Sequence, residues 1–146
     1  MSTQLQQVAS YYADDWESLR DEYSKREKTA KLLFPKKGEV WTCDFGKNVG
    51  SEINKVRPCI VIQNNKGNRF GPTTIVIPIT SKIKPQPTHL LLNDTDFIYM
   101  EGNVCGTVLA EQIKSVSKAR LGRCLGTLTQ EAMANVEGLI RTAFAM

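Results

Sequence analysis

The sequence lacks the segments typical of a membrane protein and most residues that common enzyme motifs require. No apolar run is long enough to cross a bilayer, and the first residues lack the basic-then-apolar layout of a signal peptide. His89 is the only histidine, which excludes an acid–base scheme built on two histidines. Phosphate-binding loops and Gly-x-Ser-x-Gly motifs are also missing. We therefore expect a cytoplasmic protein with no membrane segment and no common catalytic motif.

The four cysteines do not follow a metal-binding or disulfide pattern. Cys43, Cys59, Cys105 and Cys124 are far apart, and no Cys-x-x-Cys pair occurs. With a single histidine, this spacing does not fit a zinc site. A chain of 146 residues, long enough for one domain, needs no disulfide framework in the cytoplasm. We therefore expect no metal and no other cofactor.

Basic residues are concentrated in one part of the chain. The formal net charge is +4, yet segment 44–84 alone carries seven Lys or Arg residues against Asp44 and Glu52. Most of these basic residues lie in predicted loops between strands. Such a set of loops suits a polyanionic ligand, although it is equally typical of an ordinary solvated surface.

Helices are predicted at the two ends of the chain. Over residues 3–34, apolar residues recur in two interleaved series that step by seven, as on the packing face of an amphipathic helix: Leu5, Ala9, Tyr12, Trp16, Leu19, Tyr23 and Ala30. Pro35 is expected to end this helix, because the residue before a proline avoids the helical conformation. The second helix is predicted to begin after an N-cap at Thr129 and to bury Val136.

Between the helices, the periodicity is that of β-strands. Strands are predicted over 40–45, 59–62, 73–80, 89–92 and 104–110, the last continuing to 116, while residues 119–125 are ambiguous. The apolar strand 59–62 is predicted to be buried on both faces. Pro58 is expected at its first residue, and Pro78 at an edge or a bulge. The predicted fold is mainly β, a small antiparallel barrel or curved sheet with a C-terminal helix and an added N-terminal helix.

Arg57 stands out because a permanent positive charge adjoins this apolar strand. Burying an unpaired guanidinium costs several kcal/mol, so Arg57 needs either a carboxylate partner or an anionic ligand. From the residues alone, the simpler interpretation is a structural ion pair with Glu52 or Asp44. The alternative is a functional cation beside the loop of residues 46–55, whose length is typical of functional loops.

Several ordered motifs between residues 35 and 146 resemble the MazF/PemK family of bacterial toxins. They are Gly50-Ser51-Glu52, segment 56–64 with its Arg-Pro pair, segment 67–80 ending in Thr80, Pro87-Thr88-His89, Glu111-Gln112-Ile113 and segment 118–121. Their common order and spacing make the combination far more specific than any one motif. The resemblance divides the chain into a helical extension, residues 1–34, and a toxin-like domain, residues 35–146.

The resemblance implies a compact SH3-like antiparallel β-barrel, as in PemK and CcdB, that forms a homodimer. It implies a sequence-specific endoribonuclease that cleaves single-stranded messenger RNA without a metal. Cleavage would proceed by attack of the ribose 2′-OH and leave 2′,3′-cyclic phosphate and 5′-OH ends. A cognate antitoxin protein would occupy the RNA groove. Two alternatives on the same fold are a CcdB-like gyrase poison, which is not an enzyme, and an RNA-binding module without catalysis.

The same resemblance points to individual residues. The family's catalytic arginine and threonine match Arg57 and Thr80, and two residues near the substrate match Ser51 and Gln112. Further candidate substrate-binding residues lie within or beside these motifs: Glu52, Lys55, Asn64 and Lys82. A guanidinium can hold a phosphate with two hydrogen bonds, and a hydroxyl can donate to the same oxygens. This favours a catalytic Arg57 over a structural ion pair and leaves the general base unassigned, with Glu52 as a candidate.

The N-terminal extension is the departure from the family pattern. Its Trp16 face could enlarge the dimer, cover the RNA groove or dock the antitoxin. We favour the dimer role, because it requires the fewest additional assumptions. Its charges nearly balance, so the extension adds little to an RNA site.

Overall fold

The computed structural model describes the backbone of residues 2–83 and 85–146, and side chains from Trp16 onward with the exception of Lys84. The side chains of Leu5, Ala9 and Tyr12 therefore lie outside the described residues. The strands of the described part are β1 Glu39–Asp44, β2 Val56–Val61, β3 Thr73–Thr80, β4 His89–Leu91, β5 Phe97–Met100, β6 Thr107–Leu109, β7 Lys114–Ser117 and β8 Leu121–Leu128. Its α-helices are α1 Ser2–Ala30, α2 Asn65–Phe70 and α3 Gln130–Phe144. None of these helices combines the length and apolar character needed to cross a membrane.

The strands form one antiparallel half-barrel. Their order is β4-β6-β3-β2-β1-β8-β5, and β7 pairs with β3 off this path. Along one side of β3, residues Thr73 to Val76 pair with β7, and Ile79 and Thr80 pair with β6. The predicted mainly-β fold with a helix at each end is confirmed.

Strand β2 lies at the centre of the molecule and separates two apolar clusters. Ile60 belongs to the cluster that includes Ala132 and Val136 of α3. Its neighbours Cys59 and Val61 belong to the cluster on the other face. All three β2 residues are fully buried, because successive side chains of a strand point to opposite faces. The prediction of a strand buried on both faces is therefore confirmed.

Both strand prolines lie where a partner strand pairs on one side only, although Pro58 is not the first residue of its strand and the β2–β3 register has no bulge at Pro78. Pro58 is the third residue of β2, opposite Thr42 of β1, so the strand begins two residues earlier than expected. Pairing of β2 with β3 starts only at Cys59, so Pro58 has a partner strand on one side alone. Pro78 lies between the part of β3 that pairs with β7 and the part that pairs with β6.

The ends of the long helices have clear local causes. Helix α1 ends at Ala30, four residues before the predicted end. The amides of Leu32 and Leu33 donate to carbonyls three residues back, a tightened turn that ends an α-helix. Fully buried Lys118 donates from Nζ to the Lys31 carbonyl at 3.4 Å, placing a cation at the helix C-terminus. Helix α3 has the predicted cap, since the Thr129 hydroxyl accepts from the Ala132 amide.

Three elements differ from the sequence prediction. The predicted strand 104–116 is two strands, β6 and β7, separated by the 3₁₀ turn Ala110–Gln112. Helix α2 forms between the predicted strands 59–62 and 73–80, where buried Asn68 bonds to Gln63 and to the Thr74 hydroxyl. Strand β5 was not predicted, because it forms by pairing with β8, a segment distant in the sequence. Strand β8 covers most of the ambiguous segment 119–125.

Candidate active site

A groove of about 520 Å³ opens where the end of β3, the start of β2 and the loop of residues 46–55 meet. Its lining contains most of the residues singled out by sequence. The lining residues are Ser51, Glu52, Ile53, Asn54, Lys55, Arg57, Thr80, Lys82, Gln86, His89, Leu109, Glu111 and Gln112. Three of these side chains are Lys or Arg and two are Glu, so the groove combines a basic excess with fixed acceptors.

Arg57 lies at the start of β2 and is half-buried. Its Nε donates to the Asn54 carbonyl at 3.2 Å. Among the described residues, no carboxylate lies within 4 Å of its guanidinium. The ion pair with Glu52 or Asp44 is therefore not formed. Asp44 instead accepts from the Tyr23 hydroxyl and from the Gly46 amide.

Thr80 is the last residue of β3 and lines the same groove as Arg57. The antiparallel β2–β3 register pairs Cys59 with Pro78. Arg57 and Thr80 each lie two residues beyond this pair, at the same end of it. Thr80 is 5% exposed, and its Oγ1 accepts from the Lys82 amide at a long 3.4 Å. The hydroxyl proton therefore remains available to donate into the groove.

Gly106 allows β6 to approach the backbone of Thr80 closely. A β-carbon at Gly106 would overlap the Thr80 carbonyl oxygen, which belongs to the sheet and cannot move aside. The neighbouring hydroxyl of Thr107 donates to the Lys82 carbonyl at 2.8 Å. Together these contacts fix the point at which the chain leaves β3 and enters the loop that carries Lys82.

Gln112 holds the loop that carries Ser51. Its Oε1 accepts from the Ile53 amide at 3.2 Å, and its Nε2 donates to the Ser51 carbonyl at 3.0 Å. Both ends of the amide thus bind loop backbone. The structure brings Gln112 and Ser51 together, as predicted for substrate-binding residues, but the bonds of Gln112 order the loop.

His89 and Glu111 form a polar pair in the groove that sequence reasoning missed. Nε2 of His89 lies 2.7 Å from Oε1 of Glu111, and the His89 side chain is 4% exposed. Thr88 donates to the other carboxylate oxygen. Burial raises the pKa of Glu111, but the hydrogen bonds from His89, the backbone and Thr88 outweigh it, so this pKa is lowered overall. The β4–β6 register, which pairs His89 with Leu109, brings His89 beside Glu111.

The remaining predicted residues divide into two groups. Glu52, Lys55 and Lys82 are exposed and line the groove. Asn64 does not line it. Its side chain caps α2 by accepting from the Gly67 amide at 2.9 Å. An Asn before a short helix is typical of such a cap, and its place in the motif did not reveal this.

The arrangement suits the binding of an oxyanion. A guanidinium held through Nε leaves its two terminal nitrogens to bind an anion, and the Thr80 hydroxyl in the same groove can donate to that anion as well. Lys55 and Lys82 add positive charge at the rim. The groove can therefore hold a phosphodiester between fixed donors.

Comparison with known proteins gives consistent matches. A family model described as PemK-like, MazF-like toxin of type II toxin–antitoxin system matches residues 36–144. Endoribonuclease EndoA of Bacillus subtilis (strain 168) is 37% identical over 116 residues, which cover 78% of this chain and 97% of EndoA.

Solved structures show the same fold. MazF from Deinococcus radiodurans superposes with a TM-score of 0.68 at 23% identity, covering 78% of this chain and 99% of that chain. An endoribonuclease solved with its cognate antitoxin, from a mycobacterial species, gives a TM-score of 0.63 at 25% identity. That match covers 77% of this chain and 96% of the other. The family match starts at residue 36, so it does not include helix α1.

Proposed function

Because this chain belongs to the PemK-like, MazF-like family of toxins of type II toxin–antitoxin systems, we propose that it is a sequence-specific endoribonuclease acting on single-stranded messenger RNA. The observation that carries the proposal is the pairing of Arg57, free of a carboxylate partner among the described residues, with Thr80 in one open groove. The endoribonuclease name of the B. subtilis relative supports the same activity.

The proposed reaction needs only the RNA's own 2′-hydroxyl as nucleophile. The 2′-oxygen attacks the adjacent phosphorus, the bond from phosphorus to the 5′-oxygen breaks, and the products are a 2′,3′-cyclic phosphate and a 5′-hydroxyl. The proton of the 2′-hydroxyl passes to a base, and the departing 5′-oxygen gains a proton. Negative charge builds up on the non-bridging oxygens during attack, where Arg57 and Thr80 would donate. Such fixed donors stabilise this charge without a metal.

Substrate selection would rest on the groove's rim. Single-stranded RNA is recognised mainly through unstacked bases, which loops can contact at their edges. The loop carrying Ser51, Glu52 and Lys55 forms one wall, and Lys82 and the His89–Glu111 pair lie on the other segments that line the groove. The general base is unassigned, and Glu52 is a candidate because its exposed carboxylate lies on the loop nearest Arg57 in sequence.

We further propose a homodimer in the cytoplasm that is inhibited by a cognate antitoxin. The cytoplasm is where messenger RNA is found. The mycobacterial relative was solved with its antitoxin, and the three basic lining residues, Lys55, Arg57 and Lys82, suit an acidic antitoxin segment as well as RNA. Light scattering of the purified protein tests the dimer, and competition between antitoxin and RNA tests the shared groove.

The decisive experiment is incubation of the purified protein with a long natural RNA in EDTA, followed by mapping of the fragment ends. Wild type should give discrete fragments with 5′-hydroxyl ends. Arg57→Ala should cut about 10²–10³-fold more slowly, the usual cost of one lost oxyanion donor. Arg123→Ala is the matched control, because the Arg123 side chain is 71% exposed and does not line the groove.

Three results would count against the proposal in different ways. Intact RNA with folded wild type would exclude the nuclease. Salt-dependent RNA binding without cutting would identify a binding module. Growth arrest that persists with Arg57→Ala would favour an inhibitor that is not an enzyme.

A further inference from the structure

The second half of α1 is fastened to the end of β1, where the groove loop begins. The Tyr23 hydroxyl donates to Oδ2 of Asp44, the last residue of β1, at 3.0 Å. The Arg120 guanidinium lies 5.3 Å from the centre of the Trp16 ring and donates to the Asp44 carbonyl at 3.0 Å. Helix and strand end are thus joined directly by one hydrogen bond, and Arg120 bridges them through a cation–π contact to the helix and a hydrogen bond to the strand end.

Trp16 also contacts the first turn of that loop. Gly46 has φ +76°, a conformation that favours glycine. A β-carbon at Gly46 would overlap the Trp16 ring, so the indole lies directly on the backbone there. The Gly46 amide donates to Oδ1 of Asp44 at 2.9 Å, while Tyr23 occupies Oδ2. Trp16 therefore packs on the turn at Gly46, and Tyr23 bonds to the Asp44 carboxylate that accepts from the amide of this turn.

The two ends of the loop are bonded to each other at its neck, which consists of Phe45 and Gly46 on one side and Lys55 on the other. This neck connects Gly46 to the proposed catalytic residue Arg57. The Lys55 amide donates to the Gly46 carbonyl, and the Phe45 amide donates to the Lys55 carbonyl, both at 2.9 Å. Lys55 itself has φ +66°, which is rare for a residue with a side chain. The next carbonyl back, that of Asn54, accepts from Nε of Arg57. A shift at Gly46 would therefore move the acceptor that orients the guanidinium.

We propose that Trp16 and Tyr23 are positioning residues for the candidate active site, acting through Gly46, the loop neck and the Asn54 carbonyl on Arg57. This inference rests on the proposed nuclease function. It gives the N-terminal extension a role in cis, within one copy of the chain. The extension would tighten the loop whose tip carries Ser51 and Glu52, and its effect would appear in kcat more than in RNA binding.

The test combines hydrogen exchange of the loop with steady-state RNA cleavage by the full-length protein. Trp16→Ala should raise amide exchange over residues 46–55 about tenfold while exchange in β2 and β3 stays unchanged. It should also lower kcat by about 10–10²-fold with little change in KM, since small displacements of reacting groups cost rates of this order. Trp16→Phe, which keeps a ring over Gly46, should restore most of both properties.

Two further variants keep the test decisive. Tyr23→Phe removes one hydroxyl and keeps the ring, so it still tests the anchoring by α1 if Trp16→Ala fails to fold. As for Trp16→Ala, its loop should exchange faster and its kcat should fall. Tyr99→Phe is the matched control, because Tyr99 is 54% exposed on β5 and should change neither property.

The outcomes separate this inference from the nuclease proposal. Unchanged loop exchange in folded Trp16→Ala and Tyr23→Phe would overturn the anchoring by α1, even in an active enzyme. Faster loop exchange with unchanged kcat would overturn the positioning role. Absence of cleavage by wild type would instead overturn the nuclease proposal, and the exchange measurement would still report whether α1 holds the loop.

Discussion

The Asn54 carbonyl accepts a hydrogen bond from Nε of Arg57 at 3.2 Å, and this bond ties the groove loop to the start of β2. It uses the one guanidinium nitrogen that points back along the side chain. The two terminal nitrogens are left for a ligand. The contact therefore explains how a charged side chain can be half-buried beside an apolar strand without a carboxylate partner among the described residues.

Replacing Arg57 by lysine should remove most of the activity although the charge is kept. A lysine ammonium cannot donate to the Asn54 carbonyl and at the same time hold a phosphate with two parallel hydrogen bonds. We expect kcat to fall about 10²–10³-fold, with unchanged circular dichroism. Single-turnover cleavage measures the effect. Activity of Arg57→Lys within a few-fold of wild type would show that charge alone suffices.

Removing the Thr80 hydroxyl should slow cleavage without unfolding the protein. Thr80→Val keeps the shape of the side chain, and the hydrogen bond lost to the Lys82 amide is long at 3.4 Å. We expect about a 10²-fold loss of kcat, as for other single donors, and a change in unfolding free energy below about 1.5 kcal/mol. Thr80→Ser, which retains the hydroxyl, should keep most of the activity. Equal rates for Val and Ser would exclude a role for the hydroxyl.

Two glycine-to-alanine changes should have opposite effects on stability. Gly106→Ala pushes a methyl group into the Thr80 carbonyl, so it should cost about 1–3 kcal/mol and impair cleavage. Gly138→Ala, within helix α3, meets no heavy atom within 4 Å and should stabilise by about 0.5–1 kcal/mol. Urea unfolding measures both. A neutral Gly106→Ala would contradict the close approach of β6 to β3.

Tyr23→Phe should alter the dependence of stability on alkaline pH. Burial, together with the hydrogen bond and charge of Asp44, raises the pKa of Tyr23 to about 12. Unfolded tyrosine ionises near pH 10. Between these values the unfolded chain releases a proton that the folded chain keeps, so stability falls as pH rises. The advantage of wild type over Tyr23→Phe should be complete below about pH 10 and disappear toward pH 12. Urea unfolding at pH 9 and pH 11 should show the gap narrowing; a constant gap would contradict it.

Local patterns in the sequence predicted much of the fold. The alternation of apolar and polar residues predicted β1, and the apolar run 59–62 predicted that β2 is buried on both faces. Thr129 predicted the start of α3. What the sequence did not reveal depends on contacts between distant segments. Strand β5 exists because it pairs with β8, and α1 ends early because of a tightened turn that no residue pattern marked.

The candidate site shows the same division. The family motifs indicated Arg57 and Thr80, and the structure places them in one groove. They did not indicate that Asn64 caps α2 or that the Gln112 amide binds loop backbone. His89 and Glu111 meet only through the β4–β6 register, which joins strands separated by β5 in the chain. Such side-chain partners follow from tertiary pairing, which one sequence does not show.

Pro78 divides the long strand β3 into two stretches with different neighbours. Because proline has no amide hydrogen, Pro78 donates no ladder bond at the point where β3 changes neighbours. Strand β7 leads on to Lys118 and Arg120, which contact Lys31 and Trp16 of the N-terminal extension, whereas the other stretch ends in Thr80 at the groove. Substitutions in β4 or β6 are therefore expected to alter the groove while the contacts of the N-terminal helix stay intact.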